Sequence, residues 1–117
     1  MRTETGAAHF LQGLTDLGIR YLFANMGTDH VSLIEEMIRA RAAGTPQPEV
    51  VLCPHENVAV HMAAGYAAAT GEGQGVLVHV DAGTANASMG AHNLQRARLP
   101  ALLMAGKAPY TLRGELP

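Results

Sequence analysis

The segment HENVAVHMAAGYA, residues 55–67, decides the fold of this chain together with the residues just before it. The β-branched run VVLC, residues 50–53, is typical of a buried strand, and Pro54 ends that strand because proline has no N–H to donate. Nearly every side chain after Glu56 is small or aliphatic, so the segment is predicted to be a helix that packs closely on several faces. A buried strand followed at once by a packed helix is typical of α/β folds.

The same alternation of strand and helix patterns runs along the chain. Apolar residues recur at helical spacing in four segments, and short apolar runs separate them. The predicted helices are 3–17, 31–41, 56–70 and 85–97, and the predicted strands are 21–24, 49–53, 76–80 and 99–105. Thr3 or Thr5 is expected to cap the first helix, and Ser32 with Glu35 to form a capping box on the second. This order predicts a three-layer, doubly wound parallel sheet of at least four strands in flavodoxin-like order.

Three predicted loops share one edge of that sheet. They are residues 25–30, 54–56 and 81–86, with residues 81–84 expected to be non-helical. Ligands of parallel α/β sheets bind beyond the carboxyl ends of the strands, where these loops lie. Their polar side chains are therefore expected to form one site.

Composition limits the classes of function. The 117 residues are enough for one domain; 48% are hydrophobic, and the low charged content of 15% suggests that a partner covers part of the surface. The formal net charge of −2 gives no electrostatic case for nucleic acid, and no apolar run reaches the length of a signal segment or membrane span. The single Cys53 and the methionines are interpreted as core residues, and no Cys/His cluster has metal-ligand spacing. We expect a cytoplasmic protein that binds neither nucleic acid nor membrane.

Glu56 is the side chain on which a functional interpretation depends. It lies in the first turn of the predicted helix 56–70, where the helix dipole favours an acid by about 0.3–1 kcal/mol. This structural role is the simpler explanation of Glu56 taken alone. The alternative is a general acid/base whose pKa is raised by desolvation, and burial would then have to outweigh the dipole.

The pair His55-Glu56, followed by a helix with Gly-Tyr-Ala at 65–67, resembles the pyrimidine-binding domain of thiamine-diphosphate-dependent enzymes. Within that family it is most similar to the acetolactate synthase and benzoylformate decarboxylase group. The resemblance implies that thiamine diphosphate is the cofactor and that Glu56 is catalytic, hydrogen-bonding N1′ of the aminopyrimidine.

The segment FANMGT, residues 23–28, resembles the loop that follows the first strand in this family, with Met26 in place of a proline. Gly27 stands where the backbone approaches the pyrimidine, so the resemblance implies that Asn25, Met26 and Gly27 bind the cofactor. Thr28 matches a serine that contacts the substrate carboxylate in benzoylformate decarboxylases. Taken alone, Gly27 is an ordinary turn glycine and Thr28 a helix-capping residue.

The segment HVDAGTAN, residues 79–86, resembles a second motif of the family. The resemblance implies that Gly83 and Asn86 bind the cofactor, although Asn86 could instead cap a helix. His79 matches the histidine that carries protons in the benzoylformate decarboxylase branch, which implies a second catalytic residue. A lone histidine in an apolar strand is otherwise a hydrogen-bonded structural residue.

The function implied is that of the cofactor-activating domain of a 2-oxo acid decarboxylase or carboligase. The chain lacks the family's diphosphate-binding motif, so residues 1–117 are expected to be the N-terminal part of a truncated pyrimidine-binding domain that is inactive alone. The diphosphate-binding and central domains are expected to be absent, and the diphosphate-binding domain of another subunit would hold Mg²⁺. The expected partners are that domain, a homodimer or tetramer, and a small 2-oxo acid.

Two alternatives differ in class. The first is a non-catalytic module with this fold that serves oligomerisation or regulation. The second is a generic nucleotide-binding domain, which residues 25–27 disfavour because they lack the expected Gly-x-Gly-x-x-Gly turn. The identity of the 2-oxo acid, the choice between decarboxylation and carboligation, and flavin binding stay open at this point.

Overall fold

The computed structural model describes residues 5–107, in which helices and strands alternate in the predicted order. A 3₁₀ turn, Thr28–His30, precedes the second helix. Residues 1–4, which include the candidate cap Thr3, and residues 108–117 lie outside the described residues. The helices are α1 (Gly6–Asp16), α2 (Val31–Ala43), α3 (Glu56–Thr70) and α4 (Val80–Ala97), and the strands are β1 (Tyr21–Ala24), β2 (Glu49–Leu52), β3 (Gln74–Val78) and β4 (Ala101–Ala105).

The four strands of residues 5–107 form one parallel sheet in the order β2-β1-β3-β4. Side chains of β1 alternate between its faces: Leu22 and Ala24 pack with α1 and α2, whereas Phe23 packs with α3 and α4. In the same way Val76 and Val78 of β3 face α3 and α4. The predicted three-layer, doubly wound sheet is therefore confirmed, and the strand order is the flavodoxin-like one.

The helix ends follow local chemistry. Thr5 caps α1, since its Oγ1 accepts the Ala8 N–H at 3.1 Å, as predicted. Gly44 and Gly71 end α2 and α3 in the left-handed conformation, with φ of 67° and 79°. The predicted capping box at Ser32 is wrong, because α2 already begins at Val31 and places Ser32 inside its first turn.

Two predictions around β3 and α4 are wrong in their boundaries. The strand begins at the fully buried Gln74, whose Oε1 accepts the Arg20 and Tyr21 N–H groups at 2.8 Å. Residues 81–84 were expected to be a loop, and they include aspartate, glycine and threonine, which are poor helix formers. They are the first turn of α4, which begins at Val80. Tertiary packing against Glu56 outweighs their weak propensity here.

The sulfur-containing side chains were predicted to be core residues, and this prediction is only partly confirmed. Cys53 is buried in the core, as predicted, and burial raises the pKa of its thiol. Met62 and Met89 are not core residues, because they are 41% and 68% exposed on α3 and α4. Within residues 5–107, no helix is both long and apolar enough to cross a membrane.

Candidate active site

Glu56 lies at the centre of the predicted site, where three elements meet. It is the first residue of α3 and only 6% exposed. Asn25, just after β1, donates its Nδ2–H to Glu56 Oε1 at 2.9 Å. Asn86, in the second turn of α4, donates its Nδ2–H to Oε2 at 3.0 Å. Both carboxyl oxygens are thus held by side-chain amides from separate elements.

The backbone around Glu56 approaches closely because of Gly83. This residue is buried in the first turn of α4, and a β carbon built there would lie 3.0 Å from Glu56 Oε1. A larger side chain would push α4 away from the carboxyl group. On the preceding side, His55 caps α3, since its Nδ1 accepts the Asn57 N–H at 3.1 Å.

The pKa of Glu56 is lowered from its ordinary value. The hydrogen bond from Asn86 is the largest cause, and it outweighs burial, which acts in the opposite direction. The hydrogen bond from Asn25 and the charge of His55 add to the lowering. The general acid/base interpretation required burial to raise the pKa of Glu56. In the described residues the hydrogen bonds outweigh burial, so this requirement is not met. Glu56 is a carboxylate at neutral pH and accepts both amide hydrogen bonds.

Replacing Asn86 with alanine is expected to raise the pKa of Glu56, because it removes the largest cause of the lowering. A lowered folded-state pKa stabilises the fold above the unfolded glutamate value of about 4.3, and this stability is lost as the pH falls through the folded-state pKa. Asn86→Ala should therefore reduce the loss of stability in acid. The measurement is a ¹³C NMR titration of the Glu56 carboxyl carbon.

Asn93 offers a matched control on the same helix. Its exposed amide contacts His61 Nε2 at 3.2 Å, and Asn93→Ala should leave the titration of Glu56 unchanged. An unchanged or lower pKa of Glu56 in Asn86→Ala would contradict the assignment.

His79 and Gly27 form a second group at the same edge of the sheet. His79 directly follows β3, and its Nδ1 lies 2.5 Å from Asp29 Oδ1. A β carbon at Gly27 would overlap the His79 ring, so this position accommodates the ring only without a side chain. The structure thus brings these two predicted residues into contact. Beside them, Val80 has φ of 29°, a conformation that costs a β-branched residue of order 1–3 kcal/mol.

Asp29 and His30 were not among the predicted site residues. Their side chains are 5% and 2% exposed, and Asp29 Oδ2 lies 3.2 Å from His30 Nε2. Their position in the sequence could have indicated a place in the site. Both belong to the polar loop 25–30 at the carboxyl end of β1.

The remaining predicted residues, Met26 and Thr28, belong to the same loop. Met26 packs against the core cluster that contains Leu22 and Leu77. Thr28 is exposed and begins the 3₁₀ turn, whose N-cap is Gly27, and the N-cap of α2 is His30. The alternative role of Thr28 as a helix cap is therefore wrong.

A cleft elsewhere contains none of the predicted residues. It has a volume of about 210 Å³, lies between α1 and α2, and is lined by Gln12, Glu36 and Arg39 among others. Within residues 5–107, no group of three or more His, Cys, Asp or Glu side chains is arranged to hold a metal ion.

A family model, similar sequences and similar structures all indicate the same family for this chain. Residues 4–116 match the family "Thiamine pyrophosphate enzyme, N-terminal TPP binding domain". The acetolactate synthase large subunit of Haemophilus influenzae is 31% identical over 114 residues, which are 97% of this chain and 19% of that protein. A thiamine diphosphate-dependent 4-hydroxybenzoylformate decarboxylase of Rhodococcus jostii superimposes with a TM-score of 0.70 at 26% identity, over 87% of this chain and 18% of that one. The chain spans about a fifth of the length of these relatives, and it belongs to the family of thiamine pyrophosphate enzymes through their N-terminal TPP-binding domain.

Proposed function

We propose that this chain supplies the pyrimidine-binding half of a thiamine-diphosphate-dependent 2-oxo acid decarboxylase or carboligase. The observation that carries the proposal is Glu56, a buried carboxylate held at both oxygens by Asn25 and Asn86. It lies at the edge of the parallel sheet where ligands of such folds bind. The relatives, among them an acetolactate synthase and a 4-hydroxybenzoylformate decarboxylase, support the choice of reaction class.

The residues around Glu56 fit an aminopyrimidine ring. A buried carboxyl group can hydrogen-bond one ring nitrogen, and Gly83 adds no side chain beside Glu56 Oε1, where a β carbon would lie 3.0 Å away. Asn25 and Asn86 hold the carboxyl group in one orientation before the ring arrives. The site is therefore preorganised on rigid elements, which lowers the entropic cost of binding.

Each side chain has a distinct role in this proposal. Glu56 exchanges a proton with N1′ of the ring, while Asn25 and Asn86 orient it. Met26 and Gly27 line the ring, His79 carries a proton to or from the substrate, and Thr28 binds the substrate carboxylate. The amides lower the pKa of Glu56, so this residue is ionised at neutral pH. A carboxylate has no proton to donate, and Glu56 must therefore take up a proton before it can donate a hydrogen bond to N1′.

The cofactor, when bound, supplies an electron sink for cleavage of the bond beside the carbonyl of a 2-oxo acid. We place its diphosphate and Mg²⁺ on a diphosphate-binding domain outside these 117 residues.

Calorimetry with thiamine diphosphate and Mg²⁺ tests the proposal. The 117-residue chain alone should bind weakly or not at all, and binding should appear when a polypeptide carrying the family's diphosphate-binding domain is added. Tight binding by the chain alone would contradict the division into two halves. Absence of binding in the mixture would contradict the catalytic proposal itself.

The second candidate function is a non-catalytic oligomerisation module. The observation that favours it is an exposed apolar surface on α3 and α4, where Val58, Met62 and Met89 are 44%, 41% and 68% exposed. This surface suits a second copy or a partner domain. In the calorimetric experiment, the module predicts self-association of the chain and no heat of cofactor binding in any mixture.

A further inference from the structure

A buried carboxyl group, that of Asp29, lies behind the ring of His79. The Asp29 side chain is 5% exposed, and burying such a group is costly unless a donor compensates for the lost water. His79 Nδ1 lies 2.5 Å from its Oδ1. Within residues 5–107, Oδ2 has no hydrogen bond of normal geometry, so His79 is the principal donor to this carboxyl group.

His30 lies on the other side of the Asp29 carboxyl group, beside Oδ2. Its Nδ1 accepts the Gly27 N–H at 3.0 Å and therefore carries no proton, so the proton of the neutral ring lies on Nε2. That Nε2 faces Asp29 Oδ2 at 3.2 Å. Burial is the main cause that lowers the pKa of His30, which keeps the ring neutral. Asp29 is thus enclosed between two imidazole rings of different exposure.

We propose that Asp29 is a positioning residue for His79, with His30 as its support, and this inference rests on the proton-carrying role proposed for His79. Asp29 Oδ1 accepts the His79 Nδ1–H, which fixes the ring orientation and the tautomer. Proton exchange with a substrate is then confined to Nε2. The His79 side chain is 39% exposed, so the ring is accessible from outside the core, unlike Asp29 and His30.

The physical logic is that of any carboxylate–imidazole pair. A histidine whose Nδ1–H is bound by a carboxylate presents a free lone pair at Nε2, and the hydrogen bond of one nitrogen decides the state of the other. Without the acceptor, the ring is free to rotate and to adopt the other tautomer. A base whose proton acceptor points the wrong way loses most of its catalytic effect.

The test is ¹⁵N NMR of the histidine rings in the full 117-residue chain, which reads each tautomer without cofactor or substrate. Wild-type His79 should be protonated at Nδ1. In Asp29→Ala the Nε2–H form should become the major one. Asp81→Ala is the matched control, because Asp81 is an exposed carboxylate two residues from His79 and its removal should leave the tautomer unchanged.

The support by His30 has its own measurement. Hydrogen exchange of the Gly27 amide should speed up at least tenfold in His30→Leu, which lacks an acceptor, and should be restored towards the wild-type rate in His30→Asn, whose amide oxygen can accept. Equal exchange in both variants would overturn the role of His30.

The outcomes separate this inference from the proposed function. If wild-type His79 is protonated at Nε2, the positioning role of Asp29 is overturned whether or not the chain binds thiamine diphosphate, and this result needs no variant to fold. If His79 is protonated at Nδ1 and Asp29→Ala shifts it, the inference is supported even where calorimetry rejects the cofactor.

Discussion

Glu56→Gln is expected to lower the turnover of the complete enzyme that we propose contains this chain by about 10²–10⁴-fold, the usual contribution of general acid–base catalysis. Glutamine keeps the length of the side chain but cannot carry the proton. It also has one oxygen where Glu56 has two, so it cannot accept from both Asn25 and Asn86. One amide then faces the glutamine NH₂ group, and the side chain should turn or shift. The measurement is kcat with a 2-oxo acid under saturating cofactor.

Glu72 is the matched control for this change. It is an exposed carboxylate just beyond the other end of α3, 3.4 Å from the Tyr66 hydroxyl. Glu72→Gln removes the same charge from the opposite end of the same helix and should leave kcat unchanged. Wild-type turnover in Glu56→Gln would remove Glu56 from the mechanism.

Gly27→Ala is expected to damage both the fold and the site. The added β carbon would overlap the His79 ring, so either the ring or the loop 25–30 must move. Overpacking of this kind costs about 1–3 kcal/mol of stability. A shift of the ring would loosen its contact with Asp29, and in the proton-carrying role proposed for His79 a misplacement of about 1 Å can cost roughly 10²-fold in rate. Urea unfolding of the chain and kcat of the complete enzyme measure the two effects.

Gly13→Ala is the control for a glycine without such a neighbour. Gly13 lies inside α1, and a β carbon there would have nothing within 4 Å. This change should stabilise the chain by about 0.4–1 kcal/mol, because alanine loses less backbone freedom on folding. Equal stability of Gly27→Ala and wild type would show that His79 does not occupy the space beside Gly27.

The fold could be predicted because several local signals agree. The run 50–53 and Pro54 define the end of a strand, the small side chains of 55–67 define a packed helix, and the alternation repeats along the chain. Parallel topology follows from that alternation. The convergence of Asn25, Glu56 and Asn86 also follows, since each stands at or beyond the carboxyl end of a strand.

Other features depend on contacts that a pattern does not contain. The start of α4 at Val80 was missed because Gly83 is a poor helix former whose position is fixed by the approach of Glu56. The pKa of Glu56 depends on two amides 31 and 30 residues away, whose hydrogen bonds outweigh burial. The contact between Asp29 and His79 spans 50 residues, and no local spacing predicts it.

Gly106 directly follows β4, which is one of the two outer strands of the described sheet. It connects this strand to the pair formed by Asp29 and His79. Its N–H donates to the Val78 carbonyl at 3.0 Å, and its backbone lies so close to Asp29 that a β carbon would overlap the carboxyl group. Peripheral strands open locally at a lower free energy than the whole fold. Each such fraying event would admit water behind Asp29 while α3 and the inner strands stay folded. If His79 has the proton-carrying role proposed above, heating is therefore expected to abolish that role at a lower temperature than the one at which the helices unfold.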